Sequence, residues 1–361
     1  MQNLSKMELE KRIDEIANFD IDEFNVFGAS YVVNQNGKTI LKKHYGVTSE
    51  NGYPVSDKTL FRLASMSKPI TALATLLLVD KNLISLEDKL NSYIPQFKDS
   101  RVKIKHLLSH TSGIDDTNDV NLMTAEDKAS VNNTINFFAD KKLAFSPGKK
   151  DLYSAFAAFD YLVAVIEKVT KEDYFYYLSK HILQPLNMRN TGFIPTKEQW
   201  NDFIQVNGKS ENGCKKCDMN DGCIFNDFPC NHYLGGAGMF GCLSDYLSFA
   251  ELLLNDGVTN SGERIISAKT LKAMLTNQLS TTSFELDKEE TWGLGVRIVT
   301  SDNHATLPKG AYGWSGAYGS HFWIDPKNKI SAVYMKNSAV DGGASNASAV
   351  RFEKAVYQSL H

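Results

Sequence analysis

The spacing of apolar and polar residues divides the chain into two strand-rich ends and a helical middle. Residues 1–18 are rich in Lys and Glu, with no continuous apolar core, and predict an amphipathic helix. Residues 28–33 and 38–46 read as two strands. Asn36-Gly37 between them is a hairpin signal, because both residues tolerate positive φ. An extended apolar run then stops at Ser65, and a buried helix with the apolar body 70–80 follows at once. Residues 86–90 and 104–114 suggest short helices and turns.

The interval 132–188 is mostly helical in pattern, with a turn at Ser146-Pro147-Gly148 and helices over about 159–169 and 174–183. Residues 207–233 are polar and irregular. A glycine-rich loop at 234–241 enters a helix over 244–255. Strands are expected at 292–299, 310–318, 321–325 and 330–335, and a last helix over about 345–360. Strands near both termini with helices between them predict an α/β (α+β) protein. One domain would combine residues 1–64 and 258–361, with a mostly helical lobe over 65–257 that carries the irregular insertion at about 207–233.

Composition narrows the function classes. The chain has 361 residues, 42% hydrophobic and 22% charged, with a net charge of −3. That balance gives no electrostatic reason to expect nucleic acid or an anionic membrane as a partner. No apolar run approaches the roughly 20 residues of a membrane span. The first segment reads as a helix and not as a secretory signal, which places the protein in the cytoplasm. The sequence leaves the oligomeric state open.

Candidate chemistry starts at Ser65-Met-Ser-Lys68. On a helix, residues three apart share a face, so the Lys68 ammonium comes within reach of the Ser65 hydroxyl. A serine needs such a neighbour to act as a nucleophile at neutral pH. Ser67 has no base at that spacing and reads as a packing or hydrogen-bonding residue. His106 and His110, four apart on an expected helix, have a zinc-compatible spacing. They lack both a third ligand and the glutamate of H-E-x-x-H, which makes structural histidines the better reading.

Several stretches taken together resemble the serine β-lactamase-like superfamily, in the branch of class C β-lactamases, D-alanyl-D-alanine peptidases and family VIII carboxylesterases. They are Leu60-Phe-Arg-Leu-Ala-Ser-Met-Ser-Lys-Pro69, His106-Leu-Leu-Ser-His-Thr-Ser-Gly113, and Phe145-Ser-Pro-Gly148 with Tyr153-Ser154. Further on come Pro185–Phe193, Gly235-Gly-Ala-Gly238 with Asp245-Tyr246, and Trp314-Ser-Gly316 before Phe322-Trp-Ile-Asp-Pro326. Each is weak alone; in register over roughly residues 25 to 358 they reinforce one another.

The resemblance implies an antiparallel sheet flanked by terminal helices, packed on a helical lobe with the nucleophile at the seam. It implies Ser65 as nucleophile, Lys68 as its ionic neighbour, and Tyr153 as general base or part of a Lys–Tyr proton relay. A tyrosinate beside a lysine ammonium could take the serine proton during attack. The oxyanion would meet the backbone N–H groups of Ser65 and of Ala317, and Trp314, Ser315 and Gly316, just before it, would help to line the oxyanion and substrate site. The chemistry so implied needs neither metal nor organic cofactor.

Two positions depart from the pattern. The second motif normally ends in asparagine, where this chain has Ala155. An unpaired substrate amide there would cost about 1–3 kcal/mol when buried. The third motif normally opens with lysine or histidine, which helps to hold a substrate carboxylate; here it opens with Trp314. Both changes weaken recognition of penicillin-like or D-Ala-D-Ala substrates and leave the acyl-transfer groups untouched. The expected function is therefore a serine hydrolase that forms an acyl-enzyme on Ser65 and cleaves small carboxylic esters. The alternatives are a β-lactamase or D-amino-acid peptidase of the same mechanism, and a non-catalytic penicillin-binding-like scaffold.

Cys214, Cys217, Cys223 and Cys230 cluster ahead of the glycine-rich loop, with Cys242 close behind. Cys214-x-x-Cys217 is a good zinc half-site, whereas the second pair is looser. Zinc, disulfides and free thiols all remain open, as does the idea that the cluster shapes the substrate entrance.

Overall fold

The computed structural model describes residues 2–24, 26–206 and 232–361. Its first elements are α1 (Lys6–Glu23), β1 (Gly28–Gln35), β2 (Lys38–Gly46) and the short β3 (Phe61–Arg62). A single 3-10 turn, Ala64–Met66, leads into α2 (Ser67–Asp80). The lobe continues with α3 (Ile104–Leu108), α4 (Asp116–Asp119), α5 (Val131–Ala139), α6 (Ala157–Thr170), α7 (Tyr174–Leu178) and α8 (Lys197–Trp200). Then come β4 (Phe240–Gly241), α9 (Leu243–Leu254), α10 (Ala268–Met274), β5 (Glu290–Trp292) and β6 (Arg297–Val299). The chain closes with β7 (Tyr312–Ser315), β8 (His321–Asp325), β9 (Ile330–Lys336) and α11 (Ala347–Tyr357).

Seven strands form one antiparallel sheet in the order β2-β1-β9-β8-β7-β6-β5, so β1 from the start of the chain pairs with β9 from its end. Alternation along each strand gives the sheet two dry faces. On one face, Tyr31, Val33, Trp323 and Tyr334 pack against Leu9, Ile13 and Ala17 of α1 and Phe352, Ala355 and Val356 of α11. A buried carboxylate ties these layers together. Asp20 of α1 accepts from Tyr31 at 3.2 Å, Tyr334 at 2.5 Å and Ser348 at 2.5 Å.

The other face, through Val32, Phe322, Val333 and Met335, joins the larger core that includes α2, α6 and α9. There Tyr246 of α9 meets Phe322 edge-on at 5.0 Å. From Ser67 to Leu78 every residue of α2 is buried, so the helix is a central pillar and not an amphipathic surface element. Among the described residues, no helix is long and apolar enough to cross a membrane.

Differences from the sequence reading have local causes. The strand expected over 292–299 is two strands, because Gly293 N–H donates to Val296 O at 2.9 Å in a tight turn, tied to Leu108 through Gly295 N–H at 2.7 Å. The helix expected over 174–183 is α-helical only to Leu178 and continues as one π-type turn, Ser179–Leu183. The last helix starts at Ala347, where the Asn346 side chain caps it by accepting from Ala349 N. The pair β3–β4 was not anticipated: two residues on each side, far apart in sequence, carry no periodicity. The four clustered cysteines, Cys214, Cys217, Cys223 and Cys230, lie outside the described residues. Cys242 is buried and in no disulfide among the described residues, and burial pushes its thiol up to about 12.

One buried network makes a testable link to pH. Glu353 of α11 accepts from His321 Nε2 at 2.9 Å, lies 3.4 Å from an Arg297 guanidinium nitrogen and takes the Thr306 hydroxyl. Burial alone would raise its carboxyl; the His321 bond and the neighbouring positive charge overcome this and hold it at about 2, against an ordinary 4.5. A folded-state value below the unfolded one means that Glu353 stabilises the fold above pH 4.5 and that this contribution is lost as pH falls toward 2. Glu353→Gln should lower the melting temperature at neutral pH and flatten its fall between those limits. Parallel melting curves for variant and wild type across that range would reject the account.

Candidate active site

Ser65 sits where an extended segment is forced to become a helix. Arg62 is clamped on both sides by Asn337, which accepts from its N–H at 3.0 Å and donates to its carbonyl at 3.2 Å. Leu63 N–H donates to Met239 O at 2.9 Å. Ala64 then takes a left-handed φ of 46°, unusual for a residue with a Cβ and of order 1 kcal/mol in strain. That bend turns Ser65 out of the strand direction onto the start of α2. The turn is locked from behind: Met239 N–H donates to Ser67 Oγ at 3.1 Å, and Tyr246 Oη donates to Met66 O at 2.9 Å. Ser67 is therefore a fully buried hydrogen-bonding residue, as its sequence context suggested.

Lys68, one helical turn on, is 1% exposed. Its Nζ donates to Ser65 Oγ at 3.3 Å, to Ala155 O at 2.6 Å and to Gly236 O at 2.9 Å. It also lies over the Tyr153 ring, 4.7 Å from the centroid. The Ala155 contact is made by the backbone carbonyl, so the alanine at this position does not weaken the hold on Lys68.

Tyr153 enters from the turn ahead of α6, and its hydroxyl donates to Ser65 Oγ at 2.6 Å. Four neighbours hold that turn. Asp116, fully buried, accepts from the Ser154 hydroxyl at 2.6 Å and from the N–H groups of Ala155, Phe156 and Ala157 at 2.9, 2.9 and 2.7 Å, satisfying the open end of α6. His110 Nδ1 accepts from Ser154 N–H at 3.0 Å, and its ring lies 4.6 Å from that of Tyr153. Asp151 takes the Trp292 indole N–H at 3.1 Å and Phe284 N–H at 2.8 Å, while Glu285 accepts from Tyr153 N–H at 2.5 Å.

The two histidines do not share a helix face. α3 ends at Leu108, and His110 lies beyond it with a φ of 57°. Burial, with the Lys68 charge adding to it, holds His110 well below its ordinary value, so it is a neutral strut. Burial also lowers His106, to about 4.

β7 closes the site. Trp314 is 5% exposed, and its indole N–H donates to Tyr153 Oη at 3.3 Å. Gly316 lets the strand end press against the turn that carries Ser65: a Cβ there would lie 2.4 Å from Leu63 O. Ala317 follows, exposed, and its N–H donates to no protein group among the described residues. Ser315 is placed differently from the others. Its hydroxyl pairs with His321 Nδ1 at 2.8 Å, on the face of the strand away from Trp314.

A sequence model of the beta-lactamase family matches residues 14–355, nearly the whole chain. The chain belongs to the beta-lactamase family. It is a serine hydrolase of the β-lactamase fold. Esterase EstB of Burkholderia gladioli is 27% identical, over 94% of this chain and 93% of the relative. Among solved structures, "EstCE1, a hydrolase with promiscuous acyltransferase activity" is 25% identical with a TM-score of 0.83, covering 98% of this chain and 99% of that one. A family VIII carboxylesterase superposes with a TM-score of 0.75 over 99% of both chains at 21% identity, a likeness of fold.

Within this beta-lactamase-family site, sequence reading missed Asp116 and Asp151. Neither carries a local signal, because each acts on a segment distant in sequence. Gly236 was read as part of the Gly235-Gly-Ala-Gly238 motif, without the reason a glycine is needed there: a Cβ would lie 2.8 Å from Ala155 O and 3.2 Å from Lys68 Nζ. Gly236→Ala should therefore push Lys68 off its two carbonyls and lower kcat/KM about 100-fold, the order expected for a 1 Å misplacement. Wild-type kinetics in that variant would show that the loop yields freely.

Proposed function

We propose that this enzyme hydrolyses small carboxylic esters, with Ser65 as nucleophile and Tyr153 as general base. The reading rests above all on the 2.6 Å contact between Tyr153 Oη and Ser65 Oγ, shorter than the 3.3 Å from Lys68 Nζ to the same oxygen. Once the phenol has released its proton to solvent, that contact reverses: the phenolate accepts the Ser65 proton as Oγ bonds to the ester carbonyl carbon. The carbonyl oxygen, now anionic, is met by the N–H groups of Ser65 and Ala317. Collapse of the tetrahedral intermediate breaks the bond to the alkoxy oxygen, which leaves as the alcohol with the proton from Tyr153. Water then attacks the acyl-enzyme along the same route, with Tyr153 again taking and returning a proton. Lys68, held by two carbonyls, stays beside the Tyr153 ring, its Nζ 4.7 Å from the centroid.

The ester preference is supported by Trp314 and Ala155. An indole offers no charge to a substrate carboxylate, and the Trp314 N–H is engaged with Tyr153. The Ala155 side chain cannot bind an acylamino group. The names of two relatives, an esterase and a hydrolase with acyltransferase activity, point the same way. The test compares p-nitrophenyl acetate and butyrate with nitrocefin and a D-Ala-D-Ala peptide on the purified enzyme. Ester kcat/KM should exceed the other two by at least about tenfold, the scale on which a missing charged contact acts. β-Lactam or peptide turnover above that of the esters would reverse the assignment.

A further inference from the structure

Strand alternation sends Trp314 into the site and Ser315 out of its back, toward the layer formed by α1 and α11. Ser315 lies directly opposite His321 in the β7–β8 register, the last cross-strand pair before the hairpin turns. Its hydroxyl pairs with His321 Nδ1 at 2.8 Å; His321 Nε2 donates to Glu353 Oε1 at 2.9 Å; and Glu353 is itself braced by Arg297 at 3.4 Å. Ser315, His321 and Glu353 are 2%, 1% and 4% exposed, so the chain of bonds is dry. It joins β7, β8 and α11, and none of its members faces Ser65.

What this chain adjoins gives it a purpose beyond stability. Immediately past Ser315, Gly316 N–H donates to Ser320 O at 2.7 Å, and Gly316 O accepts from Gly319 and Gly343, both at 2.9 Å. Ala317 stands at the crown of that turn, exposed, and has no side chain able to anchor it. Its N–H can serve an oxyanion only if the hairpin beneath it is stiff, because preorganised donors work by not having to move. An apolar pair at Ser315 and His321 could pack but could not fix direction. A hydrogen-bonded relay ending on a carboxylate fixes both distance and angle, and each link, once buried, is expensive to break.

We propose that Ser315, His321 and Glu353 form a positioning relay for the Ala317 oxyanion donor. This rests on the assignment of Ser65 and Ala317 made above. Three variants, Ser315→Ala, Ser315→Thr and His321→Phe, are compared with wild type using p-nitrophenyl butyrate, an alkyl boronic acid as a tetrahedral-adduct mimic, and thermal melting. Ser315→Ala, which deletes a single oxygen, should lower kcat about tenfold, a fraction of the 100- to 1000-fold lost when an oxyanion donor is removed outright. KM should stay within about twofold, and boronate affinity should fall by the same factor as kcat. Ser315→Thr should restore both, and His321→Phe, if it folds, should match the alanine variant. A lower melting temperature with wild-type kcat and boronate affinity would overturn the relay and leave a stabilising contact only. Ser65→Ala separates the layers: if it abolishes turnover while Ser315→Ala is normal, the relay alone fails. If Ser65→Ala still turns over, the site assignment fails and the relay falls with it.

Discussion

Ser65→Ala is expected to abolish ester turnover, by at least about 10,000-fold in kcat, and to abolish labelling by a fluorophosphonate probe. The size follows from covalent catalysis: without Oγ no acyl-enzyme forms, and only binding and the oxyanion donors remain to help water. The variant should fold. Among the described residues, the Ser65 side chain hydrogen-bonds to Lys68 and Tyr153, and both partners keep other contacts, Lys68 to two carbonyls and Tyr153 to the Trp314 indole. The turn itself is held by Asn337, Met239 and Tyr246, none of which touches the Ser65 hydroxyl. Retained labelling would move the nucleophile elsewhere. Ser67 is a poor substitute, since its oxygen is buried and occupied by Met239 N–H.

Tyr153→Phe carries the second largest effect, a fall in kcat of about 100- to 10,000-fold, the range for loss of a positioned general base. The substitution keeps the ring and so its contacts with His110 at 4.6 Å and Trp314 at 5.5 Å. Only Oη goes, and with it the acceptor of the Trp314 N–H and the closest partner of Ser65. Fluorophosphonate labelling should slow in parallel, because attack by Ser65 is the step affected. A kcat within about threefold of wild type would transfer the base to Lys68, which lies 3.3 Å from the same oxygen.

The two residues of the S-x-x-K pair were legible because their relation is local: three positions across the 3-10 turn that runs into α2 keep them close whatever the rest of the chain does. Tyr153 was legible only through resemblance, since nothing in a single tyrosine shows which serine it will face 88 residues away. Trp314 was read as the loss of a carboxylate-binding cation, and its N–H turned out to address Tyr153, a direction that depends on how β7 is seated. Ser315 belongs to the same motif, yet its hydroxyl faces the other layer, since neighbouring strand residues point to opposite faces. Asp116 escaped notice because a buried carboxylate reads like any aspartate, and the role of Gly236 within its motif stayed unread because a close approach looks like any glycine until the facing segment is present.

Amphipathic and alternating patterns determined by themselves the terminal helices, the first hairpin, the buried α2 and the class of fold, because hydrophobic periodicity is a property of neighbours in sequence. The union of β1 with β9, the break between β5 and β6 and the strained bend at Ala64 were decided by tertiary structure. So were the three acceptors around Lys68 and the relay behind Ser315. Each of these depends on which distant groups burial brings together, and a buried polar group takes whatever partner the assembled fold supplies.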